Sequence, residues 1–177
     1  RAFFLTIGLP VRDDAWLAGF TKGMTELSRQ AGCPLLGGDT TRTAKVGDIH
    51  APVTISITAM GELPQSMGLT RAGARPGDDI WVSGCVGGAW AALMHRWGKL
   101  TLDARVFPSA ALAMDRPNPR NALGTALLSS ATACADISDG LAQDLGHILE
   151  RSGVDADVLW DAVPKHCLLY TSDAADE

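Results

Sequence analysis

Residues 135–148 read ADISDGLAQDLGHI, and this stretch organises the second half of the chain. An apolar run opens into a polar loop with Asp136, Ser138 and Asp139, and an amphipathic helix follows the glycine. Two carboxylates and a hydroxyl beside a helix N-terminus can hold a hard divalent cation and the phosphates that it bridges. In the simpler alternative, Ser138 or Asp139 only caps the helix by accepting from its unpaired N–H groups. Because capping accounts for only one of the three side chains, the stretch predicts a metal and phosphate loop.

Composition indicates a globular protein without a nucleic-acid or membrane partner. The chain has 177 residues, 46% of them hydrophobic, which is enough for a packed core but too few for two full-sized domains. Its net charge of -5 comes without a basic stripe, which argues against nucleic-acid binding. The longest apolar stretch is too short to span a bilayer, so we expect a cytoplasmic protein.

The first half begins with a predicted strand and helix. Residues 2–9 have the composition of a strand, and apolar residues at three- and four-residue spacing then predict a helix. Asp13 or Asp14 supplies the N-terminal cap of this helix, and Gly32 supplies its stop. The alternating pattern of residues 52–61 predicts a half-buried strand of antiparallel character.

A second polar motif, LLGGDTTR, occupies residues 35–42. Its two glycines allow the backbone to approach a ligand closely, Asp39 offers oxygen to a metal, and Arg42 offers a guanidinium to a phosphate. Glycine and aspartate are also ordinary turn residues, so a hairpin or loop corner explains this motif equally well.

The second half alternates between predicted strands and helices, which makes α+β the expected fold class. In the helix after the acidic loop, Leu141 and Leu145 share an apolar face while Asp144 faces elsewhere. Pro108 belongs to a stretch that we expect to be irregular. The remaining predictions are strands over 80–83, 132–135 and 154–160, and helices over 84–100 and 120–129.

Changes in composition suggest where the domains lie. Residues 1–64 are expected to form one domain part and residues 77–166 another, with a proline- and glycine-rich linker at 65–76. The last segment, 167–177, reads CLLYTSDAADE and resembles a translated sequencing adapter, so we interpret it as a non-native tail.

Three motifs, LLGGDTTR, LTRAGARPGDDIWVSG and ADISDGLAQDLGHI, resemble in order and spacing the thiamine-monophosphate kinase family. This family belongs to a superfamily with aminoimidazole ribonucleotide synthetase. The resemblance covers nearly all of residues 1–166. It implies a two-domain synthetase-like kinase fold, here as the end of the N-terminal ATP- and magnesium-binding domain and the first part of the C-terminal domain. It also implies ATP-dependent, Mg²⁺-dependent phosphorylation of thiamine monophosphate to thiamine diphosphate, by a homodimer.

The resemblance also implies individual roles for residues. The positions that match ATP-binding residues of the family are Gly38, Asp39, Arg71 and Ser138. The positions that match magnesium ligands are Asp39, Asp136 and Asp139, while Thr40 and Arg42 lie in the first motif without a defined role. Ser138 is a poor candidate for a nucleophile, because ISDG is not a GxSxG elbow and no histidine partner is evident.

Two departures from the family pattern and two alternatives accompany this interpretation. An earlier acidic segment with further magnesium-binding aspartates is missing, as is the later part of the second domain that contacts thiamine. We therefore expect the 177-residue chain alone to have little or no kinase activity. The first alternative is another ATP-dependent synthetase of the superfamily. The second is a non-catalytic domain whose sheet mediates dimerisation and whose acidic loop is a helix cap.

Overall fold

The computed structural model describes residues 1–46, 49–63 and 68–166. The chain divides into two compact units, Arg1–Ser66 and Met67–Glu177. The predicted non-native tail at 167–177 lies outside the described residues.

The first unit is built on a mixed sheet whose central strand is the first strand of the chain. Its elements are β1 (Ala2–Leu9), α1 (Asp14–Ala31), β2 (Leu35–Arg42), β3 (Lys45–Val46), β4 (Ile49–His50) and β5 (Thr54–Met60). β1 lies between β2, to which it is parallel, and β5, to which it is antiparallel. β3 and β4 form a separate antiparallel pair. The predicted first strand and the antiparallel character of the strand near residue 55 are confirmed.

Helix α1 begins and ends as its local sequence predicts. The Asp13 carboxylate accepts hydrogen bonds from the N–H groups of Ala15 and Trp16, both at 3.0 Å. Gly32 ends the helix with φ 58°, a left-handed conformation that glycine adopts without steric cost. The Trp16 and Phe20 rings stack with centroids 5.3 Å apart, which places the two aromatic residues on one face of the helix.

Two interpretations of the first unit need correction. The GGD motif lies inside strand β2 and not in a hairpin or loop corner, because β2 pairs along its length with β1. The predicted half-buried strand forms as β5, but all seven of its residues are exposed. The alternating sequence therefore predicted the strand correctly, but it did not predict how exposed the apolar side chains are.

The regular secondary structure in the described part of the second unit is helical, and irregular segments connect the helices. Its elements are α2 (Gly88–Arg96), α3 (Phe107–Asp115), α4 (Asn121–Leu127), α5 (Leu141–Ser152) and a 3₁₀ turn at Trp160–Ala162. α2 packs on α3 through Ala92 and Ala110, both fully buried, and Phe107 lies among the side chains around them. An Arg96–Asp115 ion pair with a 2.9 Å hydrogen bond links the two helices at the surface.

Helix α3 was not predicted, because Pro108 suggested an irregular stretch. Pro108 lies in the first turn of α3, where an N–H group would have no partner within the helix. The helices predicted over 84–100 and 120–129 form as the shorter α2 and α4. Among the helices of the described ranges, none has the length and apolar character needed to cross a membrane.

The strands predicted over 80–83, 132–135 and 154–160 do not form in the described part of the second unit. Two backbone contacts in and near these stretches show what forms there. The Cys134 N–H donates to the Thr70 carbonyl at 2.9 Å, and Val86 makes only an isolated parallel bridge with Lys165. Apolar runs of this kind fit a strand only when a neighbouring strand is present, and periodicity cannot supply that information.

The α2–α3 contact gives a first testable prediction. Ala92 is fully buried where the two helices meet, so Ala92→Leu should overpack this contact and lower the free energy of unfolding by about 1–3 kcal/mol. Urea denaturation followed by circular dichroism measures this change. Ala89→Leu is the matched control, because Ala89 lies on the exposed side of the same helix. Equal midpoints for the two variants would contradict the packing described here.

Candidate functional site

The acidic loop, residues 136–140, precedes α5 directly, and all five of its residues are exposed. The Asp144 carboxylate, one turn into α5, reaches back to the loop backbone. Its Oδ2 atom accepts from the N–H groups of Ser138 at 2.8 Å, Asp139 at 3.0 Å and Gly140 at 3.1 Å. Three consecutive amides are thus bound by one carboxylate, which fixes the loop backbone while the side chains of Asp136, Ser138 and Asp139 remain exposed.

Asp144 is the one buried polar or charged residue in the described ranges, with 4% of its surface exposed. Burial by itself raises the pKa of its carboxyl group. The three backbone donors and the nearby His147 act in the opposite direction, and the net result is a pKa below the usual value. Asp144 is therefore charged at neutral pH. The expectation that it faces away from the packed side of the helix is wrong.

Asp144 is also the residue of this candidate site that the sequence patterns did not reveal. Its position in the first turn of a helix, a few residues after an SDG loop, favours a carboxylate that binds N-terminal amides. Helical periodicity did not reveal this role, because it separates only apolar from polar positions and so assigns every carboxylate to the exposed face.

The capping alternative for the loop is wrong. The N-cap of α5 is Gly140, and no side chain makes a capping hydrogen bond there. Gly140 has φ 134°, a conformation that other residues rarely adopt, so the glycine is needed where the loop turns into the helix. The two carboxylates and the hydroxyl of the loop are thus not used to complete the helix.

Arg71 belongs to the arginine segment, residues 70–74, which the second unit brings beside the stretch that leads into the acidic loop. The Thr70 carbonyl accepts from the Cys134 N–H at 2.9 Å, two residues before Asp136. Arg71 itself is exposed. The structure therefore places Arg71, Asp136, Ser138 and Asp139 in one compact unit.

The other predicted site residues lie on β2 in the first unit. Gly38, Asp39, Thr40 and Arg42 are all exposed. Side chains alternate along a strand, so Asp39 lies on the face opposite to Thr40 and Arg42. An open depression of about 320 Å³ is lined by Leu5, Leu35, Gly37, Gly38, Asp39 and Thr40. Arg42 is not among the lining residues, which separates it from Asp39.

Gly38 has a structural role in addition to its predicted contact with a ligand. Its φ is 155°, and a Cβ atom at this position would lie 1.8 Å from the Leu5 carbonyl oxygen. Gly38 and Leu5 are paired in the β1–β2 register. The second glycine of the GGD motif is therefore required by the close approach of two strands.

The donor groups fit magnesium bound together with a nucleotide better than a metal held by the protein alone. Within the ranges that the structure describes, no three His, Cys, Asp or Glu side chains gather in a way that could hold a metal ion. Mg²⁺ usually takes one or two carboxylates and completes its six ligands with phosphate oxygens and water. Asp136 and Asp139 can supply those carboxylates from the acidic loop.

Comparison with known proteins gives matches along most of the chain. Residues 1–63 match the family model "AIR synthase related protein, N-terminal domain". The thiamine-monophosphate kinase of Salmonella typhimurium is 38% identical over 165 residues, which cover 91% of this chain and 47% of the relative. The chain thus spans about half the length of the curated relatives that it matches.

Solved structures extend this comparison. The crystal structure of thiamine-monophosphate kinase from Stenotrophomonas maltophilia is 39% identical, with a TM-score of 0.84 over 95% of this chain and 52% of that one. A second structure, described as AaThiL complexed with AMPPCP and TMP, has a TM-score of 0.78. It is 24% identical and covers 96% of this chain and 52% of that one, so it shows a shared fold.

Proposed function

This chain is a relative of the thiamine-monophosphate kinases, and from that premise we propose that the full-length protein phosphorylates thiamine monophosphate. The γ-phosphoryl group of ATP is transferred to the phosphate of thiamine monophosphate, giving thiamine diphosphate and ADP. One structural observation at the candidate site supports the proposal. The acidic loop exposes two carboxylates and a hydroxyl on a backbone that Asp144 holds in place.

The roles that we propose for the residues are to bind and neutralise the negative charges of the reacting phosphates. Transfer between two phosphates brings several negative charges together, and catalysis rests mainly on positioning and on stabilising that charge. When bound, Mg²⁺ supplies positive charge at the phosphate oxygens. In the second unit, Asp136 and Asp139 are the proposed magnesium ligands, Ser138 contacts a phosphate of ATP, and the Arg71 guanidinium binds ATP.

On β2, Gly38 and Asp39 are proposed to contact the nucleotide, with Asp39 also a magnesium ligand. Their place in the lining of the depression on the first unit supports this assignment. We propose no contact for Arg42, because it does not line this depression. Thr40 lines the depression and has no assigned group to bind.

The hydrogen bonds of Asp144 decide which groups of the acidic loop face a ligand. The N–H groups of Ser138, Asp139 and Gly140 could otherwise form an anion-binding nest, but all three donate to Asp144. The loop therefore binds a cation through its carboxylates, and the Ser138 hydroxyl, not the backbone amides, contacts the phosphate. A preformed loop also lowers the cost of ordering on binding.

Binding of a magnesium–nucleotide complex tests these assignments. Titration calorimetry with a non-hydrolysable ATP analogue and Mg²⁺ should show that Asp136→Asn and Asp139→Asn each weaken binding about tenfold or more, because a charged ligand is lost. Asp155→Asn is the control, since it removes an exposed carboxylate elsewhere in the unit. Unchanged affinity in both loop variants would reject the site and favour a non-catalytic domain.

The reaction itself is tested on the full-length protein. Formation of thiamine diphosphate from ATP and thiamine monophosphate is the expected result, and it should require Mg²⁺. Turnover with a formyl- or amide-bearing substrate in its place would instead favour a synthetase of the same superfamily.

We also propose that the full-length protein is a cytoplasmic homodimer. The exposed Ile55 and Ile57 side chains share one face of β5 and leave apolar surface on the first unit that a second copy could cover. Sedimentation equilibrium of the full-length protein gives the oligomeric state directly.

A further inference from the structure

Ser152, the last residue of α5, contacts the backbone on both sides of Ala72. Its Oγ atom donates to the Arg71 carbonyl at 3.2 Å. The same oxygen accepts from the N–H groups of Gly73 at 3.2 Å and Ala74 at 3.1 Å. A serine hydroxyl has one donor and two acceptor positions, and here all three are used on one segment of backbone.

The arginine segment depends on such contacts because it has no regular secondary structure. Gly73 adopts φ 131°, and a Cβ atom there would lie 2.4 Å from the Thr132 carbonyl oxygen. Thr70 closes a local turn by bonding through its hydroxyl to the backbone of Ala72. The Ser152 hydroxyl thus joins a tightly placed loop to the end of a helix.

We propose that Ser152 is a positioning residue for nucleotide binding, because it fixes the backbone from which the Arg71 side chain extends. This inference rests on the proposed role of Arg71 at ATP. Helix α5 then holds two binding segments, with Asp144 in its first turn on the acidic loop and Ser152 in its last turn on the arginine segment. The eight-residue separation of these contacts corresponds to about 12 Å along the helix axis.

The first test measures the segment itself in the 177-residue chain. Ser152→Ala should speed hydrogen exchange at the Gly73 and Ala74 amides about tenfold, because both amides lose their hydrogen-bond acceptor. Ser152→Thr should restore protection, because it keeps the hydroxyl. Ser130→Ala is the control for an exposed serine, and amides of α2 report whether the unit stays folded.

The second test measures affinity for a magnesium–ATP analogue in Ser152→Ala, Arg71→Ala and the double variant. We expect Ser152→Ala to weaken binding about threefold to tenfold. The double variant should bind no more weakly than Arg71→Ala, because Ser152 acts through Arg71. The Ser152→Thr variant should bind as tightly as the original chain.

The outcomes separate this inference from the proposed function. Unchanged exchange at Gly73 and Ala74 in Ser152→Ala overturns the positioning role. If exchange at Gly73 and Ala74 is faster in Ser152→Ala, but the losses of affinity in Ser152→Ala and Arg71→Ala add up in the double variant, then Ser152 does not act through Arg71. If Arg71→Ala binds normally, the proposed role of Arg71 fails, and the positioning role fails with it.

Discussion

Gly38→Ala should unfold the sheet of the first unit. A Cβ atom at this position would lie 1.8 Å from the Leu5 carbonyl oxygen and 2.9 Å from the Leu5 nitrogen. Both atoms belong to the backbone of the central strand, so the clash cannot be relieved by turning a side chain. We expect a loss of at least about 3 kcal/mol in the free energy of unfolding, measured by urea denaturation and circular dichroism.

Gly37→Ala is the matched control for this substitution. The nearest atoms to a Cβ there are Cδ1 and Cε1 of Phe4, both at 3.8 Å, which is ordinary van der Waals contact. We expect this variant to differ from the original chain by only about 0.5 kcal/mol. If the two alanine variants unfold at the same urea concentration, the β1–β2 pairing described at Gly38 is wrong.

Asp144→Ala should have the largest effect on the acidic loop. The variant removes the acceptor shared by the Ser138, Asp139 and Gly140 amides, and each amide then loses a bond to a charged group. Hydrogen exchange at these three amides should become at least about tenfold faster. Affinity for a magnesium–ATP analogue should fall at least as far as in Asp136→Asn, because the whole loop loses its fixed backbone.

Two comparisons make this result specific. Glu150→Ala removes an exposed carboxylate from the same helix and should leave the loop amides protected. The pKa of Asp144 in the folded chain lies below its usual value. The stabilisation of the fold by the charged carboxylate is therefore complete above the pKa of an unfolded aspartate, about 3.9. That stabilisation is lost as the pH falls through the folded pKa. Unchanged amide protection in Asp144→Ala would contradict the role given to this carboxylate.

Features set by neighbouring residues were predictable from the sequence. Asp13 and Gly32 mark the ends of α1, because the signals that start and stop a helix lie within a few positions of its ends. The acidic loop and the start of α5 were found for the same reason. The polar residues of the loop, the glycine and the amphipathic pattern of the helix follow one another directly in the sequence.

Features that depend on distant partners were not predictable. The stretch before the acidic loop looks like a buried strand, but Cys134 bonds to Thr70, which lies far away in sequence. The GGD motif looks like a turn, and only pairing with β1 makes it a strand. In both cases the deciding contact is made across the fold. Asp144 differs from these two, because its partners lie only four to six residues away and its signal was therefore a local one.

The central position of β1 has a consequence for the order in which the first unit forms. Both partners of β1 follow it along the chain, and the pairing of Ala2 with Met60 joins residues 58 positions apart. Closing so long a loop costs entropy before any pairing energy is gained, which slows folding. During synthesis, β1 and β2 can therefore pair while one edge of β1 waits for β5. That unpaired edge is the place where a growing chain is most open to misassembly or to capture by a chaperone.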